Sequence, residues 1–313
     1  MHLPRLDAAE AEVNLTTYPD RSAWLAERRK SIGGSDAPAI LGLSRWKTPL
    51  QVWAEKVGLA EDTDPGYVGR RGSAMETFLA TELTAESGVR VNPLILTQAR
   101  HPSFPCLTYS PDGFVYAADG TLLGIAEFKV RQAWAKDDWA NGIPEDVAAQ
   151  VQHGLDVCNL PAAWVAVDLG TEFRWMKVER DDALIALRRP LLLDFWRLVE
   201  TETPPEPTGT ETDRTALGRL YASESGETIA LPPEFMDEAQ TLAECEETIR
   251  RCETKKLEIE NRVRATLGTA VKGVLPDGSW WTWKEQSRPK MVPDETAPRS
   301  VSRVLRRGGK KEK

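Results

Sequence analysis

Over residues 105–131 apolar and polar positions alternate in two runs, 105–116 and 121–131, with Asp119-Gly120 between them. Alternation of this kind predicts half-buried strands, and the Asp-Gly pair predicts a two-residue type I′ hairpin. Pairing outward from that turn sets Asp112 opposite Glu127, with Cβ atoms about 5 Å apart. Lys129 projects from the same face as Glu127, while Phe128 between them points into the core. A bulge at Gly124 is the competing expectation, because it shifts the pairing by one residue.

Elsewhere the period lengthens to that of helices. Residues 24–30 read as a short helix, followed by the segment SIGGSD. Ser35 or Asp36 can cap the next short helix, with Pro38 in its first turn. Thr48-Pro49 starts a helix that stops at Gly58, and a longer helix is expected over 74–86. A strand is expected near 89–97, and a helix runs from 143–144 to 158 with Gln150 in its middle. Strands over AAWVAVDL and EFRWMKVE flank Gly170-Thr171, and a helix over 181–200 closes the unit. The order implies an α/β fold, a mixed sheet flanked by helices.

The proline- and threonine-rich stretch 201–213 reads as the end of this domain. We therefore expect domain boundaries at 1–205, a linker at 206–232 and a C-terminal region at 233–313. Within 233–266 apolar or small residues recur at Phe235, Ala239, Leu242, Cys245, Ile249, Cys252, Ile259 and Val263, with Lys256 interrupting the stripe. Steps of three and four predict an amphipathic helix, a short coiled coil, with Cys245 and Cys252 as core thiols. WWTWKEQ reads as one strand of a small β-hairpin packed on that helix, ahead of the basic tail RVLRRGGKKEK.

Composition narrows the class. The chain has 313 residues and 41% hydrophobic content, enough for a sizeable core. No apolar run reaches the length of a membrane span, and the amino terminus lacks a signal-peptide layout. The four cysteines show no metal-cluster spacing, so a reduced, cytoplasmic setting is expected. A net charge of −8 argues against a protein that coats nucleic acid. It does not exclude a nuclease, because Arg28-Arg29-Lys30, Arg45 with Lys47, and Arg70-Arg71 are local basic clusters.

Two facing carboxylates repel each other, and a divalent cation between them explains their retention. With a lysine beside them, the set has the makings of a metal-dependent hydrolase. An ordinary hairpin with scattered charges is the competing reading, and Ser73-x-x-Glu76 could equally be a helix capping box.

The ordered set Trp24 and Arg28, IGGSD, RGSAMETFLA, SPDG, EFK and AAQVQHGLDV resembles the YqaJ-type viral recombinase family. This λ-exonuclease-like group lies within the PD-(D/E)XK nuclease superfamily, whose core order is αβββαβ. The resemblance covers about residues 20–200. It implies that Asp112, Glu127, the Phe128 carbonyl and Glu76 bind catalytic Mg2+, a pair of ions, with Mn2+ as a substitute. It also implies that Lys129 orients the attacking water and that Gln150 faces this centre. Arg28, Ser35, Ser110 and Arg45 correspond to residues holding a DNA 5′-phosphate. The implied activity is exonucleolytic: one strand of duplex DNA is hydrolysed from a 5′ end, leaving a 3′ overhang. The implied partners are double-stranded DNA ends and a single-strand annealing protein, with a homo-oligomer, a trimer, suggested by resemblance alone. The setting is the cytoplasm of a bacterial host of a phage or prophage.

The rivals are an endonuclease or helicase-associated nuclease of the same superfamily, and a non-catalytic DNA-binding scaffold with a nuclease fold.

Overall fold

The structure is a computed structural model that describes residues 13–60 and 66–285. The chain divides into two compact units, residues 1–222 and 223–313.

The first unit opens with β1 (Leu15–Thr17) and α1 (Arg21–Arg28), whose start is capped by the Asp20 carboxylate accepting the Ala23 N–H. The short α2 (Ala37–Ile40) follows, then α3 (Pro49–Lys56), capped by the Thr48 hydroxyl on the Gln51 N–H. The long α4 spans Gly66–Ser87. It therefore starts well before the expected residue 74. Ser73 lies inside the helix, which removes the capping-box alternative for Glu76.

Next come β2 (Arg90–Pro93), β3 (Thr97–Arg100), β4 (Thr108–Tyr109), β5 (Gly113–Tyr116) and β6 (Leu122–Val130). The single strand expected over 89–97 is thus broken. Leu96 takes a positive φ of 50°, and the chain leaves one sheet for another at that point. The run 105–116 divides in the same way into β4 and β5. After α5 (Glu145–Cys158) come β7 (Ala162–Asp168), β8 (Phe173–Glu179), α6 (Asp182–Glu200) and α7 (Glu211–Leu220).

The central sheet has the order β2-β5-β6-β7-β8, with β6 and β7 parallel and the other neighbours antiparallel. α5 is the crossover that parallel neighbours require. Strand alternation sends the sheet's side chains to two cores. On one face Phe114, Tyr116, Ile125, Val165 and Val167 pack with Val147, Val151 and Leu155 of α5. On the other, Val115, Ala126, Phe128, Trp164 and Ala166 pack with Leu79, Ala80 and Leu83 of α4. This is a mixed α/β architecture with helices on both faces of the sheet. A smaller sheet, β1-β3-β4, completes the unit.

The hairpin register agrees with expectation where it matters, by two offsetting departures. At the tip Ala117 pairs with Thr121, and Tyr116 faces Leu122, so the loop is one residue longer than a two-residue turn. A bulge between Val115 and Tyr116 then restores the register, and Gly113 faces Ala126. Gly124 sits at that irregularity because a Cβ there would meet the Ala162 carbonyl oxygen at 1.9 Å.

Within the stretch expected to be a linker, α7 packs against α3. Asp213 is buried and accepts from the Thr48 and Thr208 hydroxyls and the Thr208 N–H. In the second unit α8 spans Phe235–Leu267, and β9 (Lys272–Val274) pairs with β10 (Trp280–Thr282). Cys245 and Cys252 are exposed within the single chain, where α8 buries no residue, so they are not core thiols of that chain's own fold. Trp280, Trp281 and Trp283 are exposed too, so their packing on the helix does not hold either, although Gly273 of the hairpin lies close to Leu267. The basic tail lies outside the described residues. No helix among the described residues is long and apolar enough to cross a membrane.

Candidate active site

Glu127 and Lys129 lie on the α5 face of β6, two residues apart, and Gln150 reaches them from the middle of α5. Lys129 Nζ donates to Glu127 Oε1 and to Gln150 Oε1, at 2.9 Å for the latter. The Gln150 amide nitrogen donates back to Glu127 Oε1 at 2.6 Å. The three side chains thus form a closed hydrogen-bonded ring, with Glu127 only 3% exposed. Its second oxygen, Oε2, accepts from the Tyr109 hydroxyl. Tyr109 was not among the sequence candidates, although it begins the YSPDG segment.

Asp112 sits just before β5, and its Oδ2 accepts the Phe128 N–H at 2.6 Å. That bond ties the loop before β5 to β6 and sets the two carboxylates at one end of the hairpin. Burial first, and then the Glu127 charge, push the Asp112 carboxyl well above the ordinary carboxylate range; Lys129 and the Phe128 N–H oppose this. Glu76, from α4, is raised as well, by burial and by Glu127, while a hydrogen bond from Ser73 and the Lys129 charge pull it down. Tyr109 is raised for the same two leading reasons, burial and Glu127. Negative charge is concentrated here beyond what Lys129 neutralises.

The donor chemistry of this cluster fits a hard divalent cation. Asp112, Glu127 and the Phe128 carbonyl offer oxygen ligands, with Glu76 beside them. Among the described residues no three acidic, histidine or cysteine side chains converge as a complete ligand cage. A cation that retains several waters does not need one.

A cleft of about 480 Å³ adjoins these groups, and its lining brings Glu76, Asp112 and Gln150 together with Arg28, Ser35 and Ser110. The phosphate-binding candidates are held in a chain. Arg28 donates to Ser35 Oγ at 2.8 Å and lies over the Trp24 ring at 4.6 Å, and the Trp24 indole N–H donates to Ser110 Oγ at 3.2 Å. Arg45 does not line this cleft. It pairs with Asp138 and stacks on Trp46. A second, more basic cleft of about 580 Å³ shares Arg21 and Arg28 with the first and adds Arg29, Lys47, Lys56 and Arg219.

The loop carrying Ser35 is fixed from below by Asp36. Of the two expected caps, Ser35 or Asp36, it is Asp36 that takes the N-cap position of α2, but its side chain makes no capping hydrogen bond; its carboxylate accepts the Gly33 N–H at 3.0 Å and a hydrogen bond from Lys56 Nζ at 2.6 Å. Burial works to raise this carboxyl, but Lys56, Arg28 and Lys47 outweigh it and hold it well below its usual range. Lys56 also donates to the Arg28 carbonyl at 2.9 Å, so one buried ion pair supports both Arg28 and the loop carrying Ser35.

Residues 23–161 match the model of the YqaJ-like viral recombinase domain. Over 267 residues the chain is 32% identical to the uncharacterized protein YqaJ of Bacillus subtilis (strain 168), covering 82% of this chain and 81% of that one. The chain belongs to the YqaJ-like viral recombinase family. Among solved structures, that of LHK-Exo in complex with dAMP superposes with a TM-score of 0.50 at 20% identity, over 58% of this chain and 94% of LHK-Exo. A second LHK-Exo structure, described as an alkaline exonuclease from Laribacter hongkongensis, gives 0.49 at 19% identity with the same coverage. The first of these superpositions shows that this YqaJ-like chain shares the fold of LHK-Exo. Family and fold together support a nuclease activity.

Proposed function

We propose that this YqaJ-like protein is a divalent-metal-dependent deoxyribonuclease that hydrolyses one strand of duplex DNA from its 5′ end. The observation that carries the reading is the ring of Glu127, Lys129 and Gln150 beside Asp112, next to a cleft that Gln150 and Asp112 line together with Glu76, Arg28, Ser35 and Ser110. Phosphodiester hydrolysis needs an activated water, a stabilised pentavalent centre and a relieved leaving oxygen. A bound Mg2+ or Mn2+ pair, held by Asp112, Glu127, the Phe128 carbonyl and Glu76, supplies Lewis acidity for that chemistry.

The chain's own groups do the remainder. Lys129 presents its ammonium to the attacking water and to the phosphate oxygens on which charge develops. Gln150 and Tyr109 fix the two oxygens of Glu127, so that the carboxylate does not rotate. Arg28 offers a planar fork to a terminal 5′-phosphate, and the Ser35 and Ser110 hydroxyls complete the pocket. Anchoring the terminal phosphate in the cleft beside the reacting centre makes the enzyme act from the 5′ terminus. The dAMP bound by LHK-Exo, a mononucleotide, supports the same kind of product. The strand left behind is a 3′ overhang, suited to a single-strand annealing partner.

The deciding experiment uses linear duplex DNA labelled separately at its 5′ and 3′ ends, with Mg2+. Mononucleotide release from the 5′ label, faster with a 5′-phosphate than a 5′-hydroxyl, supports the proposal. Internal cleavage of circular DNA or loss of the 3′ label first would replace it with an endonuclease or opposite polarity. Binding without cleavage would leave the non-catalytic scaffold.

A further inference from the structure

α8, a rod of 33 residues about 50 Å long, buries none of its residues within the chain. Phe235, Leu242 and Ile249 are spaced by seven and are 49%, 49% and 57% exposed. Continued at the same interval, the series passes through Lys256 and Val263. Three residues after each lies a second series, Glu238, Cys245, Cys252, Ile259 and Thr266. These are the a and d positions of a heptad repeat, and inside one chain α8 buries none of them.

The charges beside the seam decide what covers it. The e positions carry Glu246, Glu253 and Glu260, and the g positions carry Thr241, Thr248, Lys255 and Arg262. In an antiparallel pair the glutamates would face one another. In a parallel, in-register pair each g residue meets the e residue five positions on in the partner. Lys255 then meets Glu260, the threonines meet Glu246 and Glu253, and no like charges oppose across the e and g flanks; within the seam Lys256 and Glu238 each meet their own counterpart, with their stems running out to water. The single lysine at an a position selects a low oligomer order, because its stem can run out of a two-stranded seam to water.

We propose that α8 pairs with α8 of a second copy of this chain as a parallel, two-stranded coiled coil. The pairing buries the Phe235, Leu242, Ile249, Ile259 and Val263 seam and stacks Cys245 and Cys252 each against its own counterpart. It does not depend on the activity assigned to the nuclease unit.

The cysteines make the arrangement readable. In the full chain, Cys245→Ser and Cys252→Ser variants each keep one seam cysteine. Copper–phenanthroline under air removes two protons and two electrons from a facing thiol pair. Each variant should then form a covalent dimer of twice the 34.8 kDa chain mass on a non-reducing gel. The double serine variant should not, nor should that double variant carrying Thr254→Cys on the outer face of the helix. Ile249→Glu should abolish the cross-link, while Leu257→Glu, outside the seam, should leave it. Failure of both single variants to cross-link overturns the parallel register. Cross-linking that survives Ile249→Glu, or that Thr254→Cys matches, overturns the seam.

Discussion

Tyr109 donates its hydroxyl to Glu127 from a slot between two glycines, Gly34 on the IGGSD loop and Gly154 on α5. A Cβ at either glycine would lie 2.5 Å from the tyrosine ring. The ring is fully buried, so its position is set by those two backbones rather than by solvent. The slot joins three segments distant in sequence at one carboxylate oxygen.

Tyr109→Phe leaves Glu127 Oε2 without its donor while keeping the ring. Removing a partner that orients a metal-binding group typically costs 10–100-fold, and we expect about that loss in kcat on duplex DNA. Gly154→Ala should give a comparable loss with every proposed catalytic group still present, because the methyl group drives the ring out of the slot. Steady-state cleavage assays read both. A Gly154→Ala enzyme at wild-type rate would show that the slot does not govern Glu127.

Lys129→Ala should lower kcat by about 10²–10⁴-fold with duplex affinity little changed, since the lost charge acts on the chemical step. Asp112→Asn keeps the shape of the side chain and an acceptor for the Phe128 N–H but removes the charge. Mg2+ or Mn2+ at a hundredfold excess over its Kd should stabilise the wild type by about 2.7 kcal/mol. It should not stabilise Asp112→Asn, as thermal melts with and without the cation will report. An equal rise for both proteins would move the cation site elsewhere.

The hairpin and the convergence of its carboxylates were legible because alternation, an Asp-Gly turn and two carboxylates lie within one short stretch. Even there the pairing of Gly113 with Ala126 rests on two departures that offset each other, a longer loop and a bulge. The Gln150 contact was legible because α5 has a clear helical period and crosses the face that carries Glu127. Tyr109 was not, because its role depends on Gly34 and Gly154 leaving room across segments no local pattern connects. The side-chain role of Asp36 was misread for a related reason: as a residue preceding a helix it suits a cap, and only Lys56, 20 residues on, converts it into a buried ion pair. The break between β2 and β3 does carry a local signal, the Asn92-Pro93 pair at which β2 ends, but the apolar residues 94–96 that follow make the run read as continuous.

Asp36 gives the clearest pH dependence. Its ordinary pKa is 3.8, and in the fold it lies well below that. A depressed folded-state value means that the ionised form stabilises the fold. The contribution is complete above the unfolded value and is lost as pH falls through the folded one. Both partners of the Asp36–Lys56 pair are nearly buried, at 3% and 5% exposed, and removing one strands the other. We expect Asp36→Asn to cost about 3–5 kcal/mol at pH 7. The gap to wild type should narrow as pH drops below about 4. Urea titrations across pH measure this, and a gap independent of pH would assign the loss to packing instead.

Where the nuclease unit ends can be tested by truncation, because α7 follows the proline-rich stretch. Asp213 takes hydrogen bonds from the Thr48 hydroxyl that caps α3 and from Thr208. Cutting at residue 205 removes that carboxylate and exposes the α3 surface that α7 covers, including the end of the chain segment lining the basic cleft. Cutting after residue 222 keeps both. We propose that the autonomous nuclease unit runs to about residue 222. A 1–222 fragment should therefore melt cooperatively and retain cleavage. A 1–205 fragment should melt several degrees lower, because Thr48 loses a hydrogen bond to a carboxylate, worth about 1.5–3 kcal/mol, and α3 loses the packing of α7. Equal melting temperatures for the two fragments would return the boundary to the linker expected at 206–232.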